Sequence, residues 1–190
     1  MPHQFKFKID HTLHFHCQLI SKECIAHKKD GHQCKRMVVI GLPYCWTHLL
    51  QIKHLRIKQS TIPALGKGLF AIDSKKKSDE IVFKKGETIT NYQGEILNTE
   101  ELHQRYDKYT APYAVQLKTN TYIDAARVRG VGSLANHNNK LKNAEFITDY
   151  RSQPQQVKLR AIKDIKNNSE IFISYGKDYK FNEPTSHSTS

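Results

Sequence analysis

The chain has 190 residues, of which 30 are lysine or arginine and 18 aspartate or glutamate, for a formal net charge of +12. That length supports one core plus a small accessory unit, and the basic balance favours polyanionic partners such as nucleic acid or chromatin. The longest nearly apolar run, Met37 to Leu42, is far too short to span a bilayer, which excludes a helical membrane protein.

Residues 1–60 carry ten basic and three acidic side chains, so most of the net charge lies in the first third. The opening Met-Pro-His-Gln-Phe-Lys-Phe-Lys lacks the apolar centre of a signal peptide. A soluble intracellular protein is therefore expected, with its four cysteines as thiols or metal ligands rather than disulfides. Phe5, Phe7, Ile9, Leu13, Phe15, Cys17 and Leu19 place apolar groups at odd positions, a period of two that predicts a bent strand or hairpin with Cys17 on its buried face. Cys34 then follows Cys24 with nine residues between them, and Cys45-x-x-His48 closes the group. Cys24, Cys34, Cys45 and His48 make a Cys3His set suited to a closed, structural zinc site. Some fifty residues cannot bury enough apolar surface to fold alone, so a metal staple has a clear purpose. His14, His16, His27 and His32 are expected to be solvated. The ending Gly41-x-x-Tyr44-Cys45-Trp46-x-His48 is similar to small zinc-binding modules appended to other domains.

Leu49 to Lys58 reads as a short connecting helix or strand, and Ser60-Thr-Ile-Pro63 marks the passage into a second unit. This unit is mainly β with few helices. Leu65 to Ile72 is a strand interrupted by glycines, which suits close backbone approach; Asp73 to Lys85 reads as an exposed lysine-rich loop; Gly86 to Leu97 reads as a strand pair. Asn98-Thr-Glu-Glu101 has capping-box spacing, and Leu102, Tyr106 and Tyr109 recur at helical intervals, predicting a helix over 99–109. Strands are expected at Tyr113–Leu117 and Thr121–Asp124, turning at Lys118-Thr-Asn120, then at Ala144–Thr148, Val157–Ile162 and Glu170–Tyr175. Between them Ser133 to Asn143 holds four asparagines and a histidine with no hydrophobic period, a poor helix or strand former that makes sense as a site. The tail Asn182 to Ser190 is polar and expected to be disordered. The division expected is a zinc module over 1–56, a main domain over 57–181, and this tail.

Four stretches in this order, Gly66-Lys-Gly68-Leu-Phe70, Tyr92-Gln-Gly94, Ser133–Asn143 and Glu170–Gly176, with Ile123-Asp-Ala ahead of the third, resemble the motifs of a SET domain, the fold of most protein-lysine methyltransferases. The resemblance covers Ile57 to Tyr179. It implies small curved sheets with a C-terminal segment threaded under a preceding loop, a rare exception to unthreaded topology. It further implies transfer of a methyl group from S-adenosylmethionine to a lysine. By resemblance, Tyr175 matches the catalytic tyrosine and Tyr92 one that lines the lysine channel. Lys67, Gly68 and Phe70 match the backbone cradle of the cofactor's methionine part, Tyr113 a further cofactor-side tyrosine, and Asn136 and His137 the pair for the amino group and adenine. Ile173 and Tyr179 would shape the channel, and Ile173, lacking a hydroxyl, predicts di- or trimethylation.

The chain departs from the family pattern at Ser133, Ala135, Asn138 and Asn139, has Ser174 where relatives carry Asp, and lengthens the loop between Ile72 and Gly86. No cysteine follows Cys45, so Tyr179 and Phe181, or a second copy in a homodimer, would have to close the lysine channel. The expected function is methylation of a histone-tail lysine, with the basic zinc module docking to chromatin, DNA or a partner. The competing readings are methylation of a non-histone protein and a non-catalytic SET and zinc module that binds nucleic acid or protein. The expected location is the nucleus, or the host nucleus or cytoplasm if the chain is one of the short viral members it resembles.

Overall fold

The computed structural model describes residues 22–38, 42–63, 65–106 and 111–176. The alternating segment Phe5–Leu19 with Cys17, the histidines His14 and His16, and Tyr109, Tyr179, Phe181 and the polar tail lie outside the described residues. Two short strands, β1 (Lys22–Glu23) and β2 (Met37–Val38), pair antiparallel. The chain between them reverses at Gly31, whose φ of +82° favours glycine. Helix α1 (Trp46–Lys53) starts at Cys45 and stops where His54 turns left-handed, its N–H donating to the Leu50 carbonyl at 3.0 Å. Strand β3 (Leu55–Gln59) follows and pairs antiparallel with β4 (Lys67–Ala71), so the segment expected as helix or strand is both in succession. The expected division between residues 56 and 57 falls inside β3.

The rest is a series of short strands: β5 (Ile81–Phe83), β6 (Thr88–Tyr92), β7 (Glu95–Asn98), then helix α2 (Thr99–Tyr106), β8 (Ala114–Lys118), β9 (Thr121–Asp124), a 3-10 turn Val131–Leu134, β10 (Asn136–His137), β11 (Ala144–Asp149), β12 (Gln156–Ala161), β13 (Ile165–Lys166) and β14 (Phe172–Ile173). The sheets run β11-β12-β6 and β7-β9-β8, with two-stranded pairs β5/β13, β3/β4 and β10/β14. The capping box closes as its spacing predicts: Asn98 Oδ1 accepts from the Glu101 N–H at 2.9 Å, and Glu101 Oε2 accepts from the Asn98 N–H at 2.8 Å.

Three expectations change. β6 and β7 do not pair with each other but enter different sheets. The cause is Gly94, whose missing Cβ would overlap the Asp124 carbonyl, so the chain turns a corner there and β7 lies against β9. The lysine-rich loop contains β5, because Ile81-Val-Phe83 pairs with β13, a two-residue strand the sequence pattern does not reveal. The strand expected over Glu170–Tyr175 shortens to β14, whose bonds come from both ends of the asparagine-rich loop. Its ladder to β10 is parallel. The Asn138 N–H donates to the Ile173 carbonyl at 2.9 Å, and the Asn143 N–H to the Phe172 carbonyl at 3.0 Å. Asn143 Nδ2 also donates to the Glu170 carbonyl, while its Oδ1 accepts from the Phe172 N–H. One buried side-chain amide thus supplies backbone hydrogen bonds that no strand provides, and the segment runs between the two arms of the loop as a threaded strand.

The main core unites Leu69, Leu159, Ile165, Ile171 and Ile173 with Leu42 and Leu49 from the N-terminal segment. Under the β7-β9-β8 sheet lies a polar knot. Asp124, fully buried, accepts from Arg105 at 2.6 Å, from the Tyr106 hydroxyl at 2.9 Å and from the Ala126 N–H at 3.1 Å. Burial, then the charge of Asp124, raises the Tyr106 hydroxyl, so it remains a donor. Burial works against the Arg105 cation, but its bonds to Glu95 and Asp124 outweigh that. Removing one member of a buried pair strands the other. Asp124→Ala is therefore expected to cost about 3–5 kcal/mol in urea unfolding, and Asp124→Asn, which keeps the shape, distinctly less. Equal and small losses in both would show that the carboxylate charge is not what Arg105 depends on.

Candidate functional site

Two sites emerge. In the N-terminal segment the ligand atoms of Cys24, Cys34, Cys45 and His48 all lie within 4.8 Å of one another. His48 Nδ1 is 3.4 Å from both Cys24 Sγ and Cys45 Sγ. A tetrahedral zinc with ordinary Zn–S and Zn–N bonds requires sulfur-to-nitrogen spacings of about 3.6 Å and sulfur-to-sulfur spacings of about 3.8 Å, so the donor set fits that ion. The three thiols are buried and unpaired by disulfides. Burial raises the Cys24 thiol. At Cys45 burial acts the same way, but bonds from the His48 N–H, from Cys24 and from the Thr47 N–H at the start of α1 outweigh it and lower the thiol, favouring a thiolate. His27 and His32 are exposed and stand outside the group.

The second site lies where β10 meets β14. Tyr175 half-buries its ring against the core and donates its hydroxyl to the Ala135 carbonyl at 3.0 Å. Its N–H donates to His137 Nδ1 at 2.9 Å, which fixes the imidazole tautomer, and burial lowers the His137 pKa so that the ring is neutral. Tyr92 donates its hydroxyl to the Tyr113 carbonyl at 2.6 Å and meets Phe146 edge-on with centroids 4.9 Å apart. Burial first, and then the charge of Asp124, raises the Tyr92 hydroxyl far above a free tyrosine, so it holds its proton. The Arg129 guanidinium stacks on the Tyr113 ring at 4.3 Å.

Asn136 uses its two amide protons on the Lys67 carbonyl, at 3.1 Å, and on Glu170 Oε1, at 3.0 Å, which presents Oδ1 as an acceptor. Glu170 is the hub beneath it, a role that its place at the head of the fourth motif does not reveal. Its carboxylate also accepts from the Ser60 hydroxyl at 2.8 Å and from the Thr61 N–H and hydroxyl at 2.7 and 2.6 Å. Position 68 must be glycine here, because a Cβ would overlap Glu170 Oε1. Removing this buried carboxylate takes charge-assisted bonds from Ser60, Thr61 and Asn136 at once, donors that are half-buried or exposed. Glu170→Ala is expected to cost about 2–3 kcal/mol in urea unfolding, with Glu170→Gln milder. A neutral Glu170→Ala would show that Ser60, Thr61 and Asn136 find water without loss.

Two clefts converge on these residues. The smaller, of about 310 Å³, is lined by Tyr92, Tyr113, Ala135, Phe146, Ile173 and Tyr175. The larger, of about 920 Å³, is lined by Lys67, Tyr113, Asn136 and Tyr175, together with residues of the zinc segment. Tyr113, Ser133 and Tyr175 belong to both. Volumes in this range suit one small cofactor and one inserted side chain. Gly68, Phe70 and His137 line neither: Gly68 and Phe70 are buried under Glu170, and His137 stands behind Tyr175. Asn138, one of the unfamiliar positions, caps the turn after it by accepting from the Lys140 and Leu141 N–H groups at 2.9 Å.

Residues 66–176 match the family model described as the SET domain. Among solved structures the chain is similar to "ctPRC2 in an autoinhibited conformation bound to S-adenosylmethionine", at 26% identity and a TM-score of 0.55 over 67% of this chain and 16% of that one. It is also similar to "Crystal structure of the Chaetomium Thermophilum polycomb repressive complex 2 (PRC2)", at 27% identity, a TM-score of 0.54 and the same two coverages. A curated relative, the "Variant-silencing SET domain-containing protein" of Plasmodium falciparum (isolate 3D7), is 25% identical over 143 residues, 69% of this chain and 5% of that protein. The chain thus spans a small part of the length of these relatives.

Proposed function

The chain belongs to the SET domain family, and from that premise we propose that it is an S-adenosylmethionine-dependent protein-lysine methyltransferase acting on a histone-tail lysine. The observation that carries this reading is the junction of the two clefts at Tyr113, Ser133 and Tyr175. An in-line displacement needs its two reactants to approach one point from different directions, held close to the reactive geometry. When bound, S-adenosylmethionine supplies an electrophilic methyl group on a sulfonium.

The protein's own residues do the rest. A free lysine has a pKa near 10.4, and the reaction needs its neutral form. The smaller cleft, walled by Tyr92, Ala135, Phe146 and Ile173, removes water from the amine and disfavours the ammonium. The proton therefore leaves to solvent before transfer, since the Tyr92 hydroxyl keeps its own. Tyr175, its hydroxyl hydrogen-bonded to the Ala135 carbonyl, turns oxygen lone pairs toward the junction, where they align a methyl group by weak CH···O contacts. Asn136 Oδ1 would accept from the cofactor's ammonium, and Lys67 would offer its backbone at the edge of the larger cleft. Gly68, Phe70 and His137 serve as supports behind that edge. Ile173, buried in the channel wall without a hydroxyl, leaves room for further methyl groups.

The histone substrate is supported by one similar solved structure, "Structure of ctPRC2 in complex with H3K27me3 and H3K27M". The exposed Lys22, Lys28, Lys29, Lys35 and Arg36 of the zinc module would hold nucleosomal DNA or an acidic partner, and this basic surface supports a reading of the protein as one that acts at chromatin. A homodimer, or Tyr179 and Phe181, would close the channel. Among the described residues no helix is long and apolar enough to cross a membrane.

The test is transfer of labelled methyl from S-adenosylmethionine to core histones, nucleosomes and a fractionated lysate, with products resolved by mass spectrometry. Label on one histone lysine, advancing to di- or trimethyl-lysine, is expected. Label only on other proteins replaces the histone with a different substrate. A product that halts at monomethyl-lysine under excess enzyme removes the role given to Ile173. No label anywhere, with no cofactor binding, leaves a non-catalytic module.

A further inference from the structure

The wall of the larger cleft opposite the main domain is built by the zinc segment. Met37, Leu42, Tyr44 and Trp46 line the cleft together with Ile57, Lys67, Leu134 and Asn136 of the main domain. Two of these are apolar side chains left open: Met37 is 60% exposed and Trp46 55%. A lone exposed apolar residue is ordinary, but here two of them sit on one wall of a 920 Å³ cleft, among buried Val38, Leu42 and Leu49. Trp46 is also fixed, its ring 4.1 Å from the Arg56 guanidinium on the neighbouring strand. Tyr44 packs against both the cysteine cluster and the main core, so the wall is tied to the metal site and to the domain it faces.

What occupies the cleft follows from where it leads. It shares Tyr113, Ser133 and Tyr175 with the lysine cleft. A cofactor with its methyl group at that junction must extend along the larger cleft. Its adenine is a flat aromatic system. Of the aromatic rings that line the larger cleft, Tyr113 and Tyr175 belong to the junction where the methyl group lies, which leaves Tyr44 and Trp46 of the zinc segment for the purine. An indole is well suited to this role, because purine faces stack on aromatic rings. We propose that the Cys3His segment forms part of the cofactor site, with Trp46 as the wall against which the adenosine packs and Met37 and Tyr44 beside it. This rests on the reading of the chain as an S-adenosylmethionine-dependent methyltransferase. It assigns the zinc segment a direct part in cofactor affinity, distinct from docking.

Trp46 is the only tryptophan in the chain, so its emission reports on this wall alone. The full, zinc-loaded chain is titrated with S-adenosylhomocysteine, followed in parallel by calorimetry and by tryptophan emission. The emission change is expected to saturate with the calorimetric Kd. Trp46→Ala should weaken binding about tenfold with one zinc retained per chain, and Trp46→Phe should restore it to within about threefold. Met37→Gln, at an exposed position where folding is not at stake, provides a second variant and should weaken binding about threefold. Calorimetric binding with silent emission, and with affinity unchanged in Trp46→Ala and Met37→Gln, overturns the inference while leaving the methyltransferase reading intact. A chain that keeps its zinc and its fold, yet shows neither heat nor emission change, removes that reading and the inference with it.

Discussion

Tyr175→Phe is expected to slow methyl transfer about a hundredfold or more while S-adenosylhomocysteine affinity stays within about threefold. The two effects separate because the hydroxyl and the ring do different things. The ring packs against the core and the backbone N–H binds His137, and both survive the substitution. Only the bond to the Ala135 carbonyl and the oxygen facing the junction are lost. Losing a half-buried hydroxyl bond costs about 1 kcal/mol of stability, too little to unfold the domain, so a fall in turnover would report on alignment at the reacting centre. Single-turnover rates against pH sharpen the point. If the amine must shed its proton in the cleft, the rate rises with pH through the bound lysine's pKa, and Tyr175→Phe lowers the plateau without moving the midpoint. A midpoint displaced by the variant would mean that Tyr175 takes part in the proton's departure. A variant with unaltered turnover would place the chemistry elsewhere.

The motifs, and how far they could be read, follow from where the physical information lies. The capping box at Asn98–Glu101 and the turn at Asn120 are local devices, written in the residues that perform them. The Cys3His set is likewise legible, because three buried thiols and an adjoining imidazole have few other uses in one cluster. What the sequence conceals is pairing between distant, very short segments. β10, β13 and β14 are two residues each, too few to show any period. β5 is hidden by the lysines around it. The separation of β6 from β7 depends on Gly94 meeting a carbonyl thirty residues away. Glu170 opens the fourth motif, yet its work is set by Ser60 and Thr61, more than a hundred positions upstream. Nothing local in Ser-Thr-Ile-Pro announces a carboxylate partner. Trp46 reads locally as part of a zinc-module ending, and only the fold turns it toward a cleft.

Loss of the metal is the other large effect to be expected. The hydrophobic cluster of the N-terminal segment consists of Cys24, Ala26, Cys34, Val38 and Cys45, with Tyr44 at its edge, so most of its buried side chains are the cysteines themselves. Without zinc this cluster offers little transfer free energy, and burial leaves Cys24 disfavoured as a thiolate. Structural zinc supplies about 10–16 kcal/mol in isolated modules. Even a part of that exceeds what β1, β2 and α1 gain from their own few hydrogen bonds. Cys45→Ser, or extraction by a strong chelator, should therefore unfold residues 22–53, a local loss of at least ~5 kcal/mol. The consequence does not stop at the module. Leu42 and Leu49 belong to the main core, and Leu42, Tyr44 and Trp46 wall the larger cleft. Hydrogen exchange should accelerate across 22–53 first and at β3 and β4 next, while the β11-β12-β6 sheet remains protected. Metal analysis by native mass spectrometry should show the loss of one zinc per chain. A Cys45→Ser chain that keeps slow exchange over 22–53 would show that packing alone holds the segment. If exchange accelerates but S-adenosylhomocysteine still binds at full strength, zinc serves the fold of the module and the cleft wall is not what grips the cofactor.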